Sequence, residues 1–387
     1  MPRKSNKKRK DGRIRSKVYL GTVDGQKKYK YVYGYKQSEV DEKVKEIRMQ
    51  LGRGLDISAR EDTFEQWADR LLKVKKSDVS AGEYANLISA KNALRQIWKY
   101  TIGRVTTADI QDIILDLAAE NPHTHKPTAK RTLKKVRDFA AAVFAFAAEN
   151  RALDYNPAQY VKIPDKAPQE KRGALTEEEQ GWIINTPHRA QRVAMIMMFA
   201  GLRRGELIPL TKNDIDLQNN TITVNKAVEM IGGRASLKDS TKTPAGMRVV
   251  DIPQVLSDFL REDFAKDQSG SVLVCPAPRG GMMTSQAWRC MWINYIKTLN
   301  QKYGVPFGGE GEREIITIPP ITAHWLRHTC ATLMYLAGVD VKDASVQLGH
   351  ADVKTTLDIY VHLDKQYKRR PMSKLDEYIS ARRQNVQ

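Results

Sequence analysis

Four short stretches in the second half of the chain carry side chains that a packed core does not call for. In GLRRGEL (201–207), Arg203 emerges at the end of an apolar run from Val193 to Ala200, and Glu206 stands three residues on, near enough to orient it. TKTPAG (241–246) holds Lys242 in a turn before the strand-like MRVVDIP, with Lys238 as a competing lysine. ITAHWLRHTCATLMYLAGVD (321–340) reads as a helix capped by Thr322 and ended by Gly338, its buried stripe being Leu326, Cys330, Leu333, Met334 and Ala337. On it His324, Arg327 and His328 fall at i, i+3 and i+4 and share one face. QLGHADVKTTLDIYVHLD (347–364) adds His350 and Tyr360.

Taken singly, each has an ordinary reading. Arg203 and Glu206 make a surface ion pair, Lys242 is a turn lysine, His328 is a core histidine and Tyr360 is a packing residue. Together they form an inventory for attacking a phosphodiester without a cofactor, and they bring no obvious carboxylate cluster for a metal. Arg203 and Arg327 would hold the non-bridging oxygens with planar, permanently charged forks. Such preorganised donors are each worth roughly 10²–10³ in rate. Tyr360 would attack as a phenolate and form a covalent phosphotyrosine. Lys242 would protonate the departing 5′ oxygen, and His324 or His350 would take the tyrosine proton or bind the phosphate.

Charge fits a polyanionic partner. The 387 residues carry a formal net charge of +19, and the first 60 hold 18 Lys and Arg against 7 Asp and Glu. Cys275, Cys290 and Cys330 show no CxxC spacing, so neither a zinc site nor a disulfide framework is indicated. The basic start MPRKSNKKRK has no apolar segment behind it, as a secretory signal would, and the longest apolar run, VAMIMMFAGL, is far short of the roughly 18 residues that span a bilayer. The expectation is a soluble intracellular protein in a reducing compartment, with no membrane partner.

The elements that must position these residues give a multidomain α+β class. Residues 1–58 read as a basic arm and a small sheet backed by one helix: SKVYLGTVDGQKKYKYVYGYKQ alternates around Asp24-Gly25, and Val40, Val44, Ile47 and Leu51 stripe the helix. Tyr29, Tyr31, Tyr33 and Tyr35 share one strand face, while Lys17, Lys28 and Lys30 either lie on a DNA groove or are simply solvated. Residues 62–162 read as all-helical, opening on a capping box at Thr63. The last helix there buries Leu133, Val136, Ala140, Val143 and Ala147 and aligns Lys130, Lys134 and Arg137 on another face, either a phosphate contact or a solvated stripe. Residues 163–174 read as a linker with two prolines and a glycine, and 175–387 as a mainly helical domain with a small antiparallel sheet and a C-terminal tail.

The order Arg203, Lys242, His324-x-x-Arg327, His350, Tyr360, through GLRRGEL, TKTPAGMR, HWLRHT and LGH, resembles the catalytic set of the tyrosine recombinases of the phage and conjugative-transposon integrase family. The resemblance implies site-specific strand exchange, for integration and excision of a mobile element, through 3′-phosphotyrosyl intermediates and a Holliday junction, without metal, ATP or other cofactor. It implies arm-type and core-type double-stranded DNA attachment sites as partners for the first two domains. It further implies a homo-tetramer on DNA, excisionase and DNA-bending accessory proteins, a bacterial cytoplasmic, nucleoid-associated location, and a tail beyond about residue 370 that packs on a neighbouring protomer. The main rival is a catalytically silent DNA-binding regulator on the same fold, which would be expected to lose Tyr360 or an arginine. A metal-dependent transposase leaves Tyr360, Arg203 and Arg327 unexplained. A zinc hydrolase built on His324 and His328 lacks the glutamate of HExxH, since Trp325 stands there. A type IB topoisomerase would have no use for the arm-like first domain, and no GxxxxGK[ST] stretch points to ATP.

Overall fold

The computed structural model describes residues 11–23, 26–169, 173–237, 247–305 and 315–367. The basic arm, Asp24-Gly25, Lys238, Lys242 and the tail from 368 lie outside the described residues. The chain divides into two compact units, Met1–Glu170 and Lys171–Gln387. Helices dominate both, and the sheets are small and antiparallel.

In the first unit, β1 (Ile14–Val23) and β2 (Gln26–Gly34) form an antiparallel ribbon with Lys17 opposite Tyr31 and Tyr19 opposite Tyr29. Strand alternation sorts the side chains. Ile14, Val18 and Val32 turn inward onto Val40 and Ile47 of α1 (Gln37–Gly52), with Ile57 of α2 (Ile57–Glu61) closing the cluster. The tyrosines take the outer face. There Arg13 lies over Tyr33, Arg15 over Tyr31 and Lys17 over Tyr29, with the cations 5.5, 5.1 and 4.6 Å from the ring centres.

The helical remainder comprises α3 (Phe64–Lys75), α4 (Ala81–Ala93), α5 (Thr107–Ala119) and α6 (Lys130–Glu149). Thr63 with Gln66 and Thr106 with Asp109 make reciprocal capping boxes that satisfy the first amides of α3 and α5. Helix α6 buries the apolar stripe its periodicity predicts, against Phe64, Trp67, Ile110 and Ile114. Helix α4 stops at Ala93, and a single 3₁₀ turn, Arg95–Ile97, follows. Leu94 and Ile97 are buried there, so packing decides the break.

The second unit opens with α7 (Glu177–Ile184), started by a Thr176–Glu179 capping box, and α8 (Gln191–Phe199). Every residue of α8 from Val193 to Met198 is buried, which explains its unbroken apolar run. The short α9 (Arg204–Leu207) follows, then β3 (Ile215–Asp216), β4 (Thr221–Val224), β5 (Val228–Ile231), β6 (Arg234–Leu237) and β7 (Arg248–Asp251). Strands order β3-β4-β7 in one sheet, and β5 and β6 pair separately. β4 and β5 thus fall in different sheets, and Gly232 and Gly233, both with positive φ, make the turn into β6. The rest is helical: α10 (Gln254–Lys266), α11 (Ser285–Tyr303), α12 (Ala323–Leu336), α13 (Val341–Leu348) and α14 (Val353–Tyr367). Helix α12 packs on α8 and, through Leu326, on the main core. Its buried face runs through Thr329, Thr332 and Tyr335 as well as Cys330, and leaves Ala337 exposed.

Candidate active site

The second unit holds a cleft of about 850 Å³, lined by Arg203, His324, Arg327 and His350 together with Arg204, Trp288, Arg289 and Trp292. Four of the residues singled out by their chemistry therefore converge on one cavity from separate places in the chain. Arg203 sits at the start of α9, His324 and Arg327 on the first turns of α12, and His350 just after α13.

Arg327 is buried, and its fork bridges two segments distant in the chain: Nη1 donates to the Gly201 carbonyl at 2.5 Å and Nη2 to the Leu348 carbonyl at 2.6 Å. The Leu348 carbonyl is the last of α13, where helical carbonyls lack intrahelical partners and the dipole favours a cation, and Gly201 lies just beyond the cap of α8. Gly201 takes a positive φ there, and a Cβ on it would come within 2.7 Å of Leu348. Burial, and then the charge of Arg203, bring the Arg327 guanidinium down to about 9, with Glu206 opposing. It stays cationic at neutral pH and is poorly solvated, the condition in which an anionic ligand is most strongly attracted.

Arg203 is half-exposed and aimed from two sides. Its Nη1 donates to Glu206 Oε1 at 2.7 Å and its Nη2 to the Gly349 carbonyl at 2.5 Å, while its backbone N–H donates to Glu206 Oε2 at 2.9 Å. Glu206 is buried and also receives both terminal nitrogens of Arg248, at 3.1 and 2.9 Å. Burial works to raise the Glu206 carboxyl, but the hydrogen bonds and charge of Arg248, with those of Arg203, hold it below its ordinary range.

His350 Nδ1 lies 2.7 Å from the hydroxyl of Thr356, a fully buried residue of α14. Burial first, then the charges of Arg327 and Arg203, push this imidazole down to about 4, so it is neutral at pH 7. The His324 ring stands edge-on to His328, centroids 4.6 Å apart. Trp325, between them, packs against the main core, and a Cβ on Gly173 would come within 3.6 Å of its ring.

Tyr360 is not among the cleft-lining residues. It belongs to a small cluster with Tyr335, Ala344 and Leu363, its hydroxyl donates to the Val339 carbonyl at 3.3 Å, and its ring meets Tyr335 edge-on. It follows Thr356 by one turn of α14, so the residue that holds His350 and the tyrosine share a helix face.

Of the residues proposed to touch DNA in the first unit, Lys17 is on the tyrosine face of the ribbon. Lys30 points to the opposite face and pairs with Glu61 at 2.6 Å, and Lys28 lies on that same face. On α6, Lys130 pairs with Asp165 and Arg137 with Asp138, while Lys134 is exposed.

Several site residues were not singled out from sequence. Arg248, Thr356, Arg204 and Arg289 belong to this group. A signal existed for Arg248: in a strand whose Val250 turns inward, a charged residue two places earlier must turn inward as well, and the buried Glu206 is what receives it. Thr356 gives no such signal, because only the fold brings it to His350. Among the described residues no three His, Cys, Asp or Glu side chains gather as metal ligands, and no helix is long and apolar enough to cross a membrane.

Known proteins share this architecture. The chain is 24% identical over 381 residues to a tyrosine recombinase XerC-like protein of Caldanaerobacter subterraneus subsp. tengcongensis, covering 90% of this chain and 91% of that one. Its fold resembles that of the Tn1549 transposon integrase in complex with a circular intermediate DNA, with a TM-score of 0.64 at 18% identity over 77% of this chain and 95% of the other. It also resembles a lambda integrase from a tetramer bound to a Holliday junction, with a TM-score of 0.56 at 17% identity over 93% and 96% of the two chains. The model of the phage integrase family matches residues 174–367, which includes every cleft-lining residue and also Tyr360. On that match over half its length, the chain belongs to the phage integrase family.

Proposed function

We propose that this protein is a site-specific DNA recombinase that integrates and excises a mobile element, with Tyr360 as nucleophile. In the reaction Tyr360 Oη bonds to the scissile phosphorus and the P–O5′ bond breaks. The phenol proton leaves to His324, His350 or solvent, and the 5′ oxygen gains a proton from Lys242. One phosphodiester is exchanged for one phosphotyrosyl ester, so bond energy is conserved and reversal by another 5′ hydroxyl completes strand exchange without ATP. Arg203 and Arg327 hold the non-bridging oxygens as charge builds. The proposal requires no metal.

The single observation that carries this reading is the convergence of Arg203, His324, Arg327 and His350 on one cleft. Guanidinium and imidazole groups are the donors a pentacoordinate phosphorane calls for. In this reading residues 1–58 bind arm-type DNA, 62–162 bind core-type DNA, 163–174 link them to the rest, and 175–387 perform the chemistry. A tetramer on paired DNA sites, aided by an excisionase and DNA-bending proteins, is part of the same proposal. Its motivation is that related chains are seen on DNA and as a tetramer on a Holliday junction. Incubating the protein with two duplexes built from the sequences flanking its gene, in EDTA and without nucleotide, should yield recombinant joints. Tight binding to both duplexes with no joints and no nicking would instead favour a DNA-binding regulator.

A further inference from the structure

The Arg203 guanidinium does not aim itself; a second arginine, on a different element, fixes the group that holds it. Arg248 opens β7, and its side chain is only 5% exposed. It grips both Glu206 oxygens, and its Nε donates to the Gln347 carbonyl at 3.1 Å. Gln347 is in turn tied to β7, its Nε2 donating to the Asp251 carbonyl at 2.5 Å and its Oε1 accepting the Asp251 N–H at 3.2 Å. Two residues on, a Cβ at Gly349 would come within 2.6 Å of the Arg248 fork, and the Gly349 carbonyl is the other acceptor of Arg203. Arg248 thus stands where β7, α9 and the end of α13 meet, and touches both anchors of Arg203.

Charge makes the same point. A buried carboxylate paired only with Arg203 would cancel the positive charge meant for a phosphate. With Arg248 also on Glu206, the trio keeps one net positive charge, and the exposed member of it is Arg203.

We infer that Arg248 is a positioning residue for strand cleavage: it locks the Glu206 carboxylate and takes up its charge, so that Arg203 is held in place and left cationic for the scissile phosphate. This rests on the assignment of Arg203 to that phosphate. It also ties Arg203 to β7, the strand that begins six residues after Lys242 in the chain.

The test uses the full-length protein and a nicked duplex carrying the sequences that flank the gene, with cleavage rate read at saturating DNA, DNA affinity read separately and melting followed by circular dichroism. Arg248→Gln should slow cleavage about 10- to 100-fold, as expected when a preorganised donor is loosened, while DNA affinity stays within about twofold. In an Arg203→Lys background, Arg248→Gln should add less than about twofold, because both changes act through one group. A purely structural role would give multiplying losses in the double variant. A folded Arg248→Gln that cleaves at the wild-type rate, or losses that multiply, would overturn the inference. If Arg248→Gln does not fold, Arg248→Lys keeps the charge without the two-oxygen grip, and the same two readouts decide. An Arg203→Lys protein that cleaves at the wild-type rate would overturn the assignment of Arg203 itself, and this inference with it.

Discussion

The Tyr360 hydroxyl donates to the Val339 carbonyl at 3.3 Å, in the turn between α12 and α13 and outside the cleft that gathers the arginines. To meet a phosphate there, Tyr360 must release that carbonyl and leave its edge-on contact with Tyr335. Both are modest ties, the hydrogen bond being worth about 1 kcal/mol. Tyr360→Phe should therefore melt within about 1 kcal/mol of wild type. It should also bind DNA normally by electrophoretic shift.

Thr356 has one evident task near the cleft, its hydroxyl lying 2.7 Å from His350 Nδ1. Thr356→Val removes that hydroxyl at nearly constant volume. Cleavage should slow by about tenfold as the imidazole loses its fixed orientation. The pH–rate profile should shift, since the tautomer is no longer held; an unchanged rate and profile would remove Thr356 from the account.

The depressed His350 gives stability a pH dependence of definite sign. Its folded value of about 4 lies below the ordinary 6.5, so between those values the unfolded chain takes up a proton that the folded chain does not. Stability should fall as the pH drops from 6.5 toward 4, and His350→Gln should show a shallower fall over that window in urea titrations. A variant slope equal to wild type would contradict the burial described for this ring.

Among the described residues the Arg327 fork hydrogen-bonds two carbonyls and no carboxylate. Arg327→Lys keeps a cation but can satisfy one carbonyl at a time, leaving the other buried. We expect a loss of about 1–3 kcal/mol in denaturant unfolding. Cleavage should fall by roughly 10²–10³.

On the ribbon of the first unit, Lys17 stacks on Tyr29 on the outer face, whereas Lys30 is engaged with Glu61. If the outer face meets the DNA backbone, Lys17→Gln should lower the slope of log affinity against log salt by about 1, and Lys30→Gln by clearly less. Equal effects would place the contact elsewhere.

The sequence made much of this legible where local rules decide. The caps at Thr63, Thr176 and Thr322, the apolar stripe of α6 and the buried run Val193–Met198 of α8 all follow from spacing and residue type. So does the shared face of His324 and Arg327, because three residues make nearly one turn. What spacing does not carry is contact between distant segments. The meeting of Arg248 with Glu206 across 42 positions, the carbonyls of Gly201 and Leu348 that bind Arg327, and the Thr356 contact to His350 exist only once β7, α8, α9, α12, α13 and α14 pack. Likewise Tyr360 is equally spaced for a core or for a cleft, and packing on Tyr335 settles where it rests.

The proposed chemistry stands on a covalent bond between Tyr360 and DNA, and a nicked suicide duplex built from the gene's flanking sequence would trap it. Wild-type protein, incubated with the duplex in EDTA and run on a denaturing gel, should give a protein–DNA adduct whose tryptic map places the 3′ phosphate on Tyr360, and Tyr360→Phe should give none. An adduct that persists in Tyr360→Phe, or that maps to another residue, would rule out Tyr360 as the nucleophile.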